Sequence, residues 1–356
     1  MTQTIMKRLL ADIKHNCDIS DAAYWGYFSI CGLLMRYRDL YRSERRLDPW
    51  APIPRDKIAA WIATKEARWP ELESEAFRQL ALDGGLVGPF DVDAANSFLN
   101  RAGLAYGAGY GTFLKPTFFL AEIRSVAELE GHRVFTTDRE IVRDLFTAPA
   151  MVQGRTIFLR REPLRALLWD LYTEIHPGCA PLMTEVFRLN GLEPGQPGGP
   201  RMADGLERMA DAFSGVLLRH EIAESREALP VWKDLLAAGL DRRAELFLRA
   251  VQDLVADTSA QGPLKQCVED RDRRGLVLAV GLMDRFRSSL VPELRNAYDR
   301  FRETGDWTSI DEVRMSLFAR FRSIRREIVA LYDPADLPSF GTRISALMQA
   351  TAEQRP

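Results

Sequence analysis

The stretch LERMADAFSGVLLRHEIAES, residues 206–225, decides how the chain is read. Leu206, Ala210, Phe213 and Leu217 recur at steps of four, three and four, the apolar stripe of an amphipathic helix. Continued by three and then four, the stripe lands on His220 and Glu224. An imidazole and a carboxylate one turn apart thus fall on the face that should turn to the core. Leu229-Pro230 ends this helix, because proline cannot extend it. A second helix is predicted over 243–257, RAELFLRAVQDLVAD. One of its rows reads Ala244, Phe247, Val251, Leu254, and the row beside it Leu246, Ala250, Asp253, Asp257. Buried carboxylates are costly unless they are paired, hydrogen-bonded or bound to a metal. Antiparallel packing of these two helices is expected to bring His220, Glu224, Asp253 and Asp257 together.

Outward from this pair the pattern stays mostly helical. Upstream, helical spacing predicts helices over 4–16, 20–45, 56–66, 71–82 and 91–102, the second with Ser20 as its N-cap. The apolar face of the second runs through Tyr27, Ile30, Cys31, Leu34, Tyr37 and Tyr41. From Gly103 the character changes, with Gly107, Gly109 and Gly111 punctuating a stretch rich in β-formers. Residues 117–120, 133–135 and 156–159 read as strands, whereas the capping-box spacing of Thr137 and Glu140 predicts a helix over 138–146. Residues 191–200, with four glycines and three prolines, read as a flexible linker. Beyond Gly262-Pro263, helices are expected at 264–289, 292–303, 309–331 and 340–352. The expected fold is mainly α, with a helical N-terminal part, a small β element at about 103–160 and a helical-bundle C-terminal part. The expected domains are 1–160 and 161–356, the linker lying within the second.

Composition narrows the function classes. The chain has 356 residues, 46% of them hydrophobic and 28% charged, as in an ordinary soluble globular protein. Its 48 basic and 50 acidic side chains lack the basic excess that general nucleic-acid binding needs. No window approaches the roughly 18 consecutive apolar residues of a membrane span, and Met1 to Leu10 lacks the apolar run of a secretory signal. Cys17, Cys31, Cys179 and Cys267 are scattered, which suits reduced thiols and a cytoplasmic location.

Three places are candidate sites. The set His220, Glu224, Asp253 and Asp257 matches in part the histidine and carboxylate ligands that helical bundles offer to iron or manganese. Glu174 and His176 are weaker additions, since residues two apart on a helix point in different directions. The competing reading is a buried polar network in which His220 bonds Asp253 or Asp257 and arginines such as Arg219 satisfy the acids. The second place is His15 with Cys17, where a helix starting just after the cysteine would favour its thiolate; a structured helix junction with Cys31 in the core is the plainer alternative. The third, Gly107 to Gly111, lacks the spacing of a dinucleotide or phosphate loop and reads as a loop or turn. His132, in a loop, is expected to be solvated.

Four stretches, HNCDISDA (15–22), KPTFFLAE (115–122), RHEIAE (219–224) and VQDLVADT (251–258), resemble a family of conserved bacterial proteins of unknown function. The resemblance covers most of the chain and implies no substrate, cofactor or catalytic residue. Two functional readings therefore rest on the residues alone. One is a metal-dependent oxidative enzyme, with iron or manganese held by His220 and the carboxylates. The other is a non-catalytic helical binding or assembly protein acting on a protein partner or on a second copy of itself.

Overall fold

The computed structural model describes residues 2–175 and 181–353, which form two compact units. The first comprises residues up to Glu174 together with Pro197–Leu206, and the second Ile175–Gln196 together with the chain from Glu207 onward.

In the first unit, α1 (Gln3–Tyr24), α2 (Ile30–Arg45), α3 (Arg55–Glu66) and α4 (Trp69–Leu72) precede a two-stranded antiparallel sheet, β1 (Leu80–Leu82) with β2 (Gly85–Val87). After α5 (Val92–Leu99) come β3 (Leu104–Tyr110), β4 (Pro116–Leu129), β5 (His132–Arg143), β6 (Ala150–Gln153) and β7 (Thr156–Arg160), then α6 (Arg161–Thr173). These last five strands form one mixed sheet in the order β3-β4-β5-β7-β6, antiparallel except for β5 with β7. Leu9, Ile13 and Cys17 of α1 share a core with Tyr106, Phe118, Phe119 and Phe158 of the sheet. Each such buried apolar side chain contributes roughly 1.5–3 kcal/mol.

The β component therefore exceeds the small element expected from sequence, and two expected helices are replaced by strand. Residues 71–82 end in β1, and 138–143 belong to β5. Thr137 and Glu140 have capping-box spacing, but Glu140 has a better use. Its two carboxylate oxygens accept from Arg160 Nε at 2.6 Å and Nη2 at 3.0 Å, inside the sheet. Pairing with β4 on one side and β7 on the other then satisfies the backbone of β5. Gly107 to Tyr110 are strand rather than loop. A Cβ at Gly107 would sit 2.1 Å from the Phe119 ring, so glycine there lets the aromatic cross the sheet face.

The N-terminal helices also differ from expectation. α1 runs unbroken through Asn16-Cys17-Asp18 to Tyr24, and the break comes later, where Ser29 caps α2 through the Gly32 amide. That shift turns Cys31 outward and leaves Ile30 81% exposed. His132 opens β5 and is buried, not solvated.

The second unit holds α7 (Pro181–Arg188), most of α8 (Pro200–Glu227), α9 (Trp232–Leu236), α10 (Arg242–Thr258), α11 (Pro263–Asp270), α12 (Arg273–Gly281), α13 (Arg285–Leu290), α14 (Pro292–Thr304), α15 (Trp307–Leu331) and α16 (Leu337–Glu353). α10 packs on α15 and α16, and α15 also packs on α14 and α11. This is not the clean bundle expected. The helix anticipated over 264–289 is three short ones, because Arg271 turns left-handed at φ 51° and the side chains of Asp272 and Asp284 cap new helices. Among the described residues, no helix is long and apolar enough to cross a membrane.

Candidate functional site

α8 and α10 meet at a hydrogen bond. His220 Nδ1 lies 2.7 Å from Asp257 Oδ1, with the imidazole 14% exposed and the carboxylate 12%. Burial raises the Asp257 carboxyl, but His220 and Arg287 outweigh it, so its pKa falls below the ordinary range and it is ionised. An ionised carboxylate only accepts, so the proton of this bond sits on Nδ1. On His220 itself, burial opposes the charged ring. Asp257, with Asp253 and Glu221 behind it, wins and raises the imidazole to about 10.

The geometry follows from local structure. Asp257 stands in the last turn of α10, where the carbonyl end of the helix favours neighbouring cations. Arg314 Nη1 caps that end by donating to Thr258 O at 2.7 Å. The chain then turns sharply, and Gly262 is required there. A Cβ on it would lie 2.2 Å from Ala256 O and 2.7 Å from Asp257 O. From α13, Arg287 Nη1 reaches Asp257 Oδ2 at 3.2 Å and Asp253 Oδ2 at 3.5 Å. Its Nε is held by Asp284, the residue that caps α13.

Glu224 completes the group. Burial raises its pKa, and Asp253 and Asp257 add to that, while His220 and Arg249 pull it down. Asp253 is likewise raised by burial against the pull of Arg287 and His220. Glu221, buried beside His220, enters from a different angle. One ring nitrogen of His220 and one carboxylate oxygen each of Glu221 and Glu224 all lie within 4.8 Å of one another, the separation at which three side chains can share a cation.

The structure thus brings His220, Glu224, Asp253 and Asp257 into one electrostatic group, although Asp253 and Asp257 face Arg287. Glu221 and Arg287 were not singled out in the sequence. Glu221 sits beside the apolar stripe, and the polar start of a six-residue helix gives Arg287 no periodic signal. Glu174 lies exposed at the C-terminal end of α6, in the other unit. His176 is outside the described residues.

The His15 and Cys17 pair is a buried part of α1. His15 Nε2 is 2.9 Å from Glu75 Oε2, without the angle of a hydrogen bond. The Cys17 thiol donates to Phe118 O at 3.4 Å, and burial with Asp144, Asp21 and Asp18 nearby drives its pKa well up. That environment suppresses the thiolate. Its neighbours Ser20 and Asp21 bind Lys115 Nζ at 2.6 Å and 3.3 Å, joining α1 to the start of β4.

No curated protein and no solved structure matches the chain. A family model for an N-terminal domain of unknown function matches residues 8–160, and one for the corresponding C-terminal domain matches 165–351. The chain therefore belongs to the two-domain family of unknown function DUF6866.

Proposed function

We propose that the second unit holds one divalent metal ion, iron or manganese, and that the protein is a metal-dependent oxidative enzyme. The observation that carries the reading is the ligand-distance cluster of His220, Glu221 and Glu224, with Asp257 hydrogen-bonded to Nδ1 of the imidazole. Ligating histidines commonly donate their second ring N–H to a carboxylate, which sets the tautomer and the orientation of the ring. With Nδ1 engaged by Asp257, Nε2 is the nitrogen left to bind. One imidazole and two carboxylates suit manganese or ferrous iron better than a soft metal. Such an ion supplies Lewis acidity and, for iron, one-electron chemistry. In this reading Asp257 orients the imidazole, and Arg287 stands against Asp253 and Asp257 and holds them in place. The setting is a cytoplasmic one, and the balance of 48 basic and 50 acidic side chains argues against a nucleic-acid substrate.

Titration of the metal-stripped protein with Mn(II), followed by electron paramagnetic resonance, tests the reading. One tight site is expected, weakened at least tenfold in Glu224→Gln and in Glu221→Gln. Equal binding by both variants and the parent would remove the site.

A second reading, a binding or assembly protein, is favoured by a separate observation in the first unit. Tyr27 stacks on Phe113 with ring centroids 5.1 Å apart, and Trp25, Ile30, Leu34 and Leu114, close to these two in sequence, are exposed. Where such exposed apolar residues form one contiguous patch, they mark protein contacts. Sedimentation of the pure protein checks self-association through this patch. A concentration-independent monomer whose mass is unaltered by Ile30→Asp counts against a second copy.

A further inference from the structure

We propose that the first unit carries an oxyanion-binding site at Arg36 and Arg42 of α2 and Arg143 of β5, suited to a phosphate group. The inference is independent of the metal reading and begins with buried arginines. Arg42, Arg143, Arg160 and Arg161 are all nearly excluded from water, where α2, the sheet and α6 come together. A guanidinium keeps its charge at any working pH, and burying one is costly unless each N–H finds a partner.

For Arg42 and Arg143 the partners do not go round. Glu140 is consumed by Arg160, which takes both carboxylate oxygens and also donates to Ala148 O. Arg143 therefore approaches Glu140 only through Nε at 3.4 Å, without hydrogen-bond geometry, and gives Nη1 to Asp144 O at 3.2 Å. Arg42 has a long bond to Ala51 O at 3.4 Å and stands 3.9 Å from Asp39. The Nε atoms of both Arg42 and Arg143 are buried without a hydrogen-bond partner. Arg36 faces the same group, with Asp39, Arg143, Asp170 and Arg160 as its electrostatic neighbours.

The nearby acids do not balance this charge. Burial raises Asp39 against four surrounding arginines. Burial and Asp39 together raise Asp170 to about 7, against Arg38, Arg42 and Arg36. On α6, Glu162 is also pushed up, by burial and by Glu140, against the pull of Arg143. Near neutrality the arginines thus keep their charges, while Asp170 is close to its own midpoint. A tetrahedral oxyanion supplies acceptors for several N–H groups at once, and arginine forks match that geometry.

Titration calorimetry of the full chain with sodium sulfate, at ionic strength held constant with chloride, tests the site. Sulfate keeps both charges between pH 6 and pH 8, so any pH dependence belongs to the protein. One saturable site is expected, tightening by up to about tenfold from pH 8 to pH 6 as Asp170 takes up its proton. Asp170→Asn should keep binding and lose that dependence, and Arg42→Gln should lose binding. Arg36→Gln, at a less buried position, serves if Arg42→Gln does not fold. Inorganic phosphate and methyl phosphate as competitors then distinguish a free-phosphate site from one for a phosphorylated ligand. Absence of saturable sulfate binding, or binding unchanged in the arginine variants, would overturn the proposal.

Discussion

His220 of α8 and Asp257 of α10 are joined by a 2.7 Å hydrogen bond between side chains 37 residues apart in the chain. The stretches RHEIAE and VQDLVADT meet at this bond, just as HNCDISDA and KPTFFLAE meet at Ser20 and Lys115 in the first unit. Each unit therefore has a polar link between two distant segments, and the one in the second unit is only partly buried and faces further carboxylates.

The bond makes stability pH-dependent. With His220 raised to about 10, its folded-state value lies above the ordinary 6.5 of an unfolded chain. The stabilisation is complete below about pH 6.5 and is lost as pH rises through the folded value, a total of at most about 5 kcal/mol. Urea unfolding at pH 6, 8 and 10 should show this decline in the parent and a much shallower one in Asp257→Asn. A His220 ring that titrates near 6.5 in the NMR spectrum contradicts the account.

The same proton competes with a metal. A ligand nitrogen must shed its proton to bind, so the apparent Mn(II) affinity should rise about tenfold per pH unit between pH 7 and pH 9. Calorimetry in buffers of different ionisation enthalpy should record proton release of about one per metal bound. A pH-independent affinity would mean that His220 is not a ligand.

Arg287 is the cation that lets Asp253 and Asp257 coexist. Arg287→Met should destabilise the fold by about 1–3 kcal/mol, because Asp253 loses its cation and Asp257 keeps only His220. A change below about 1 kcal/mol in urea unfolding would mean that the pair is open enough for water to replace the guanidinium.

Gly262 sets the position of Asp257. Gly262→Ala places a methyl group against the carbonyls of Ala256 and Asp257 and should cost about 1–3 kcal/mol. Gly215→Ala on α8 is the control, since a Cβ there meets nothing within 4 Å and helix propensity should give about 0.5–1 kcal/mol of added stability. Equal thermal midpoints for the two variants would refute this role for the turn.

Much of the second unit was legible because helical periodicity is local. The stripe from Leu206 to Leu217 and the row ending in Asp253 and Asp257 sufficed to bring His220 toward the aspartates. What escaped depends on distant partners. Thr137 and Glu140 carry a helix-start signal, yet Glu140 is claimed by Arg160 across the sheet and the segment becomes β5. Asn16-Cys17-Asp18 reads as a helix stop, but Asn16 accepts from Arg78 N and donates to Arg78 O, so its polar groups are met while α1 continues. Arg287 lies on a helix that exists because Asp284 caps it, and nothing in its own neighbourhood points to residues 253 and 257.

Metal content is the most direct measurement of the central claim. Untagged protein, stripped and then reconstituted with Fe(II) or Mn(II) under anaerobic conditions, should retain about one equivalent after gel filtration. His220→Ala should retain none while keeping its helical circular dichroism. Retention below about a tenth of an equivalent by the parent, or full retention by His220→Ala, would contradict a metal centre at this site.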